Sequence, residues 1–315
     1  MNLLSPITYH LSSMENPYIS PARIKAALRG LALHPTRGMG QNFLVDRDAL
    51  DAIVAAAELT PDDTVLEVGP GLGVLTWELL RCAGRVIAVE LDRRLAERLR
   101  KEFAHTSRLA IVQGDILKLA PEALISSGVE ALPPAHPGSQ APPYKVVANL
   151  PYAITSPLLQ HFLEAVHKPE LMVVLVQWEV AQRIAAEPGD LSVLAHAVQV
   201  YAEPEVLARV PASSFVPAPA VDSAILRLRV RPHPAVAVDD IDALLRVVKA
   251  GFLQRRKKLS NALPGGLSAM GTPIPKERVL AALQAAGVDP NRRAETVTLQ
   301  EWAGVYNQLA LGAGH

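Results

Sequence analysis

Thr64-Val65-Leu66-Glu67-Val68-Gly69-Pro70-Gly71-Leu72-Gly73 decides the fold class of this chain. An apolar run of strand length ends in a glycine-rich turn, and Leu72, Leu75, Thr76 and Leu79 then continue at helical spacing. The unit repeats. Arg85-Val86-Ile87-Ala88-Val89-Glu90 predicts a second strand, followed by a charged helix near 92–104. Leu109-Ala110-Ile111-Val112 predicts a third strand, Val146-Val147-Ala148 a fourth, and the run from Leu171 to Val176 a fifth. Strands this apolar, alternating with helices, predict a parallel sheet covered on both faces. Patterns near 197–203 and 222–230 predict antiparallel strands added at the sheet edge. The expected class is α/β, a Rossmann-like sheet with a smaller all-helical C-terminal domain.

Outside this core, residues 1–19 read as irregular and 20–31 carry a short helical pattern, so 1–36 is expected to be an N-terminal extension. Asp46 suits an N-cap for a helix with Leu50, Ile53, Val54 and Ala57 on one face. Residues 126–143 are rich in Pro, Gly, Ser and Ala and predict a surface loop. Arg231-Pro232-His233-Pro234 reads as a linker. It closes a domain over 37–231 and leads into a helical one over 235–315. There, Ile241, Leu244, Leu245, Val248 and Phe252 mark one helix. A second is expected near 276–286, ending at Gly287, and a third over 299–310.

At 315 residues, half of them apolar, the chain can bury two cores. No apolar run is long enough to span a membrane, and the N-terminus lacks a basic region followed by an apolar stretch. A cytoplasmic location without a signal peptide is expected. The single cysteine, Cys82, excludes an intramolecular disulfide, and its apolar helical setting predicts a buried bystander. The nine histidines are scattered without cysteine partners, so no metal site is expected. Net charge is zero, 31 basic residues against 31 acidic, which by itself does not favour a phosphate-binding partner. The distribution says more. Arg255-Arg256-Lys257-Lys258 is a dense basic run, Arg227, Arg229 and Arg231 alternate onto one strand face, and Arg292-Arg293 forms a third cluster. Each alone reads equally well as a solvated surface.

The glycine turn has the spacing G-x-G-x-G. Leu75 stands where the dinucleotide fingerprint would need its last glycine, which disfavours a pyrophosphate ligand. Glu90 ends the second strand, where an acid accepts from ribose hydroxyls, and Asp115 in Gln113-Gly114-Asp115-Ile116 ends the third, where a carboxylate accepts from an adenine amine. Asn149-Leu150-Pro151-Tyr152 ends the fourth. An amide oxygen and a backbone carbonyl accept from an exocyclic amine while a tyrosine ring stacks on the base. Taken alone, those four residues also read as an ordinary turn. Together, four features at the carboxyl ends of parallel strands point to a nucleoside cofactor, and S-adenosylmethionine fits them better than NAD.

These segments resemble the KsgA-type small-subunit rRNA adenine N6,N6-dimethyltransferases over roughly residues 37–310. The resemblance rests on Gly40-Gln41-Asn42-Phe43-Leu44, Glu67 to Gly73, Val89-Glu90, Gly114-Asp115 and Asn149-Leu150-Pro151-Tyr152. It continues through Phe215-Val216-Pro217, Val221-Asp222-Ser223 and Gln254-Arg255-Arg256-Lys257. It implies an S-adenosylmethionine-dependent enzyme that dimethylates N6 of two adjacent adenosines in a hairpin near the 3′ end of 16S rRNA, in the small subunit or its precursor. Asn42, Leu44, Gly69, Glu90, Asp115 and Asn149 would contact the cofactor, with Gly71 of the same glycine turn. Asn149, Leu150, Pro151 and Tyr152 would face the target adenine, with Phe215 on its other side. Arg227, Arg229, Arg255, Arg256, Lys257 and Lys258 are the expected RNA contacts, and a monomer is the expected state.

The sequence departs from the family at Ala220, at Pro188-Gly189-Asp190, at Arg293-Ala294-Glu295-Thr296 and in the length of the 126–143 loop, all outside the cofactor motifs. A 23S rRNA adenine N6-methyltransferase of the macrolide-resistance type shares the cofactor and Asn-Leu-Pro-Tyr motifs. The Gln254–Lys257 segment and the long helical C-terminal part favour the small-subunit reading over it. A mainly RNA-binding ribosome-assembly factor is a further alternative, and an NAD-dependent oxidoreductase is disfavoured by the glycine spacing.

Overall fold

The computed structural model describes residues 16–31, 42–126 and 142–309. The expectations for 1–15, for Gly40 and Gln41, and for most of the 126–143 loop lie outside those residues. The chain divides into two units, one built from Met1–Ala181 and Glu205–Val230, the other from Gln182–Pro204 and Arg231–His315.

The strands are β1 (Phe43–Leu44), β2 (Thr64–Val68), β3 (Arg85–Glu90), β4 (Leu109–Gln113), β5 (Lys145–Asn149), β6 (Leu171–Gln177), β7 (Ala202–Val210), β8 (Phe215–Val216) and β9 (Ser223–Val230), all in the first unit but for the first three residues of β7. Seven of them form one sheet in the order β4-β3-β2-β5-β6-β9-β7. The five strands expected from the apolar runs are parallel to one another, and β9 runs antiparallel to β6. Their interiors are solvent-free, as for Val86, Ile87, Val146, Val147, Val173 and Val174 at 0% exposure. Burial on both faces explains why these strands read as continuous apolar runs rather than alternating ones.

The register aligns the carboxyl ends of the strands. Val68 lies opposite Val89, Glu90 opposite Gln113, and Asn149 opposite Leu175. The four segments singled out in the sequence therefore leave the sheet side by side. A separate two-stranded ribbon pairs β1 with β8, Phe43 opposite Val216 and Leu44 opposite Phe215.

The helices of this unit are α1 (Pro21–Gly30), α2 (Arg47–Ala56), α3 (Val74–Cys82), α4 (Arg93–Glu102), α5 (Pro121–Ser126) and α6 (Thr155–Leu163), and α7 (Trp178–Ile184) follows β6. Asp46 caps α2 as expected, its Oδ1 accepting from the Ala49 amide at 3.1 Å. Leu50 and Ile53 of α2 are fully buried, each contributing about 1.5–3 kcal/mol by leaving water. Cys82 is only partly buried, against the expectation for it.

Two further expectations are corrected by the structure. The strand expected near 197–203 is instead the end of α8 (Val193–Gln199) and the beginning of β7. Ser192 caps α8, accepting from the Ala195 amide at 3.1 Å, so a helix start outweighed the alternating pattern beyond it. The domain expected over 37–231 also loses residues 182–204 to the second unit. His196 shows why. It is buried, with its ring nitrogens 2.8 Å from the Ser192 carbonyl and 3.1 Å from the Val297 carbonyl. The amides of Gly189 and Leu191 donate to the Glu295 carbonyl.

The rest of the second unit is α9 (Ile241–Phe252), α10 (Leu259–Ala269), α11 (Lys276–Ala285) and α12 (Leu299–Leu309). Its core gathers Leu244, Val247, Val248, Leu263, Leu283, Trp302 and Tyr306. Helix α10 has no counterpart in the sequence reading, because Pro264-Gly265-Gly266 looks like a helix breaker. Its first amides are satisfied from outside the helix, Leu259 by the Arg292 carbonyl and Ser260 by the Pro290 carbonyl. Gly266 lies so close to α9 that a Cβ there would stand 2.0 Å from the Ala250 carbonyl oxygen. Tight packing thus overrides a poor local propensity.

Candidate active site

The turn after β2 takes positive φ at Gly69 (+66°) and Gly71 (+59°), a region costly for any residue with a Cβ. Close approach also requires the second glycine, since a Cβ on Gly71 would lie 2.9 Å from Phe43 Cε1. The amide of Gly69 donates to the Val89 carbonyl, and that of Gly71 to Glu90 Oε2 at 3.0 Å. A Cβ on Gly69 would sit 3.8 Å from Pro151 Cδ, which places the Asn-Leu-Pro-Tyr turn directly against the glycine turn.

Between them lies a cavity of about 800 Å³. Every predicted cofactor residue lines it: Asn42, Leu44, Gly69, Gly71, Glu90, Asp115 and Asn149. Pro151 does too. The volume and the mostly apolar wall with a few polar groups suit a nucleoside-sized ligand.

Glu90 is 5% exposed, and burial raises its carboxyl above the ordinary value. Its Oε1 accepts from the Asp92 amide at 2.9 Å and its Oε2 from the Gly71 amide. A carboxylate has about four acceptor positions, so Glu90 keeps capacity to accept from a ligand hydroxyl. Asp115 Oδ1 accepts from the Leu117 amide at 3.1 Å, which stands the carboxylate at the end of β4. Asn149 Nδ2 donates to the Asn42 carbonyl at 3.0 Å. With its nitrogen committed, the amide leaves Oδ1 as the atom that can accept from a ligand.

Tyr152 opens the 3₁₀ turn Tyr152–Ile154, and its phenol oxygen is 2.8 Å from Ser223 Oγ. The neighbouring Asp222 is held by the Ala212 amide at 2.9 Å and the Arg209 guanidinium at 2.8 Å. The Val221-Asp222-Ser223 motif therefore steadies the tyrosine from the start of β9. Phe215 is 3% exposed and packs in the core with Phe43 and Leu44. Among the described residues no ring contact joins Phe215 to Tyr152.

Several cavity residues escaped the sequence reading, Glu67 and Leu91 among them. Glu67, 1% exposed, receives the Thr76 hydroxyl at 2.7 Å on Oε2, and burial pushes its carboxyl up to about 8. A glutamate inside an apolar strand was the available signal. Leu91, 67% exposed beside Glu90, offers an apolar face at the cavity, and a lone leucine after a strand gives no such signal in sequence. Glu90, with acceptor capacity facing the cavity, fits a ligand that carries hydroxyls, while Glu67 holds its proton beneath the site.

The predicted RNA contacts separate. Arg227 and Arg229 share a face of β9 as expected, but Arg229 lies opposite Leu171, the first residue of β6. The cavity residue Asn149 is level with Leu175, four residues and about 13 Å farther along the strand. Glu58 binds both arginines, and Glu205 also binds Arg227. Their charge is spent on these carboxylates, and neither arginine lines the cavity. In the second unit, Arg255 pairs with Glu295 at 2.8 Å and Lys258 Nζ donates to Asn291. Arg256 and Lys257 are exposed and make no ion pair among the described residues.

The sequence profile of ribosomal RNA adenine dimethylases matches residues 35–311. The chain belongs to the ribosomal RNA adenine dimethylase family. Members of this family are S-adenosylmethionine-dependent methyltransferases. The ribosomal RNA small subunit methyltransferase A of Dehalococcoides mccartyi is 44% identical over 283 residues, covering 89% of this chain and 90% of the relative. The protein of the same name from Moorella thermoacetica is 43% identical, covering 92% and 98%. Among solved structures, a dimethyladenosine transferase from Plasmodium falciparum matches with a TM-score of 0.67 at 25% identity, over 84% of this chain and 95% of that one. The 23S rRNA methyltransferase ErmE matches with a TM-score of 0.62 at 32% identity, over 85% and 99%.

Proposed function

We propose that this chain transfers methyl groups to N6 of two adjacent adenosines in a hairpin near the 3′ end of 16S rRNA, in the small subunit or its precursor. One observation carries the reading. The Asn149 amide stands at the lip of the cofactor cavity with its nitrogen fixed to the Asn42 carbonyl and its oxygen left to accept.

S-adenosylmethionine, when bound, supplies a methyl group on a cationic sulfur that is an excellent leaving group, so the protein's tasks are alignment and electrostatics. Glu90 would hold the ribose hydroxyls and Asp115 the adenine amine, and Gly69 and Gly71 would let the backbone come close. Asn42 and Leu44 cover the cavity from the β1 side. At the other face, Asn149 Oδ1 and the Leu150 carbonyl accept from the target N6 amine. Those two acceptors would favour an amine whose lone pair is out of conjugation with the ring and free to attack. Pro151 shapes the turn, and Tyr152, steadied by Ser223, stacks on the extruded base, which contributes about 1–3 kcal/mol. Phe215, packed in the core with Phe43 and Leu44, would back the opposite side of the base from beneath. The proton released from N6 passes to water, so no general base is needed.

Arg256 and Lys257 of the second unit contact RNA phosphates, flanked by Arg255 and Lys258. One chain holds both the cofactor cavity and the base-facing turn, which supports action as a monomer. Among the described residues no helix is long and apolar enough to cross a membrane. An rRNA substrate supports a cytoplasmic location. The 23S alternative is weaker, because identity to the small-subunit enzymes (44%) exceeds identity to ErmE (32%).

Two measurements test the reading. Labelled S-adenosylmethionine offered with unmethylated small and large subunits should label the small subunit; label confined to the large subunit overturns it. Asn149→Ala should keep most RNA affinity and lose most turnover, and near-normal turnover would remove Asn149 from its role.

A further inference from the structure

The two-stranded ribbon joins parts of the site that bind different molecules. Its β1 strand belongs to the cofactor side: Asn42, Phe43 and Leu44 line the cavity, and the Asn42 carbonyl holds Asn149. Its β8 strand carries Phe215, proposed above as the base contact and packed in the core with Phe43 and Leu44. A ribbon of two residues per strand has little stability of its own. It is fastened immediately beyond the paired residues. The Val45 amide donates to the Ser214 carbonyl at 2.8 Å, and the Ser214 hydroxyl donates to Asp46 Oδ2 at 2.5 Å. Ser214 is buried, so this hydrogen bond to a carboxylate is sheltered from water. The other oxygen of Asp46 caps α2. One aspartate thus anchors the cofactor arm to a core helix and, across 168 residues of sequence, to the strand of Phe215.

We propose that Asp46 and Ser214 are positioning residues that make placement of the cofactor arm and placement of Phe215 a single event, so that cofactor and target adenine bind cooperatively. This rests on the reading of Phe215 as a base contact. A ligand on either side orders both strands, so the second ligand meets a site whose ordering cost has already been met. Linkage requires the effect to be reciprocal.

The test measures S-adenosylhomocysteine affinity, which avoids turnover, with and without saturating unmethylated small subunits. In the wild-type protein the subunit should tighten binding by at least about fivefold, the lower end of ordinary coupling. Ser214→Ala should bring the ratio below about twofold. Asp46→Ser should do the same while retaining a good helix cap, which separates the tie to Ser214 from the stability of α2. Asp46→Asn, able both to cap and to meet the Ser214 hydroxyl, should restore the ratio. A wild-type ratio of one, or a wild-type ratio kept in both Ser214→Ala and Asp46→Ser, overturns the coupling. Phe215→Leu separates the two failures. Undiminished turnover in that variant removes the base-contact reading itself. Abolished turnover there, with full coupling in Ser214→Ala, removes only the role of the tie.

Discussion

Replacing Glu67 by glutamine should flatten the dependence of stability on pH. Glu67 is fully enclosed, and its folded-state carboxyl titrates at about 8 against an ordinary 4.5, chiefly because burial disfavours the charge and secondarily because Glu90 is near. Below pH 4.5 the folded and unfolded chains both hold the proton. Between there and about 8 the unfolded chain releases it and the folded chain keeps it, so stability falls as pH rises. From pH 5 to pH 8 the span of about three units corresponds to about 4 kcal/mol, at about 1.4 kcal/mol per unit. Glutamine can still accept the Thr76 hydroxyl and does not titrate. The assay is urea unfolding of both proteins at several pH values between 5 and 8.5 without cofactor. The stability of Glu67→Gln relative to wild type should rise by about 4 kcal/mol over that range. Parallel profiles for the two proteins would refute the argument, since they would mean that Glu67 carries no raised titration in the fold.

Other predictions follow from individual side chains. Gly71→Ala places a Cβ 2.9 Å from Phe43 in a backbone conformation costing about 1–2 kcal/mol, so the cofactor dissociation constant should rise about fivefold or more by calorimetry. An unchanged constant would count against the close approach of Phe43. Gly266→Ala drives a methyl into the Ala250 carbonyl and should destabilise the second unit by about 1–3 kcal/mol, read as a lower melting temperature. Replacing Arg256 and Lys257 by Ala should flatten the salt dependence of RNA binding, by about 0.7–0.9 in log–log slope for each phosphate no longer neutralised. The same change at Arg227 and Arg229, already paired with Glu58 and Glu205, should leave that slope as it is.

Much of the site was legible in the sequence because it is made from strand ends. A buried parallel strand announces itself by its apolar run, and the residue that follows it must emerge at the sheet edge. That places Gly69, Glu90, Asp115 and Asn149 without any knowledge of contacts. Features that depend on a partner far along the chain were not legible. Helix α10 survives Pro264 and two glycines because α9 receives it closely and residues 290 and 292 satisfy its first amides. Residues 182–204 join the second unit through His196 and Glu295, across about a hundred positions. The alternation of Arg227 and Arg229 correctly gave a shared face, but only the antiparallel register with β6 shows which end of the sheet they occupy.

By itself, then, the sequence determined the α/β class, the strand ends that form the cofactor cavity and the family, because periodicity and short motifs are local and survive without a partner. The tertiary structure decided which charges face the site, how the chain divides into units, and that Asp46 reaches Ser214. Those depend on register and on contacts between distant segments, which no local pattern encodes.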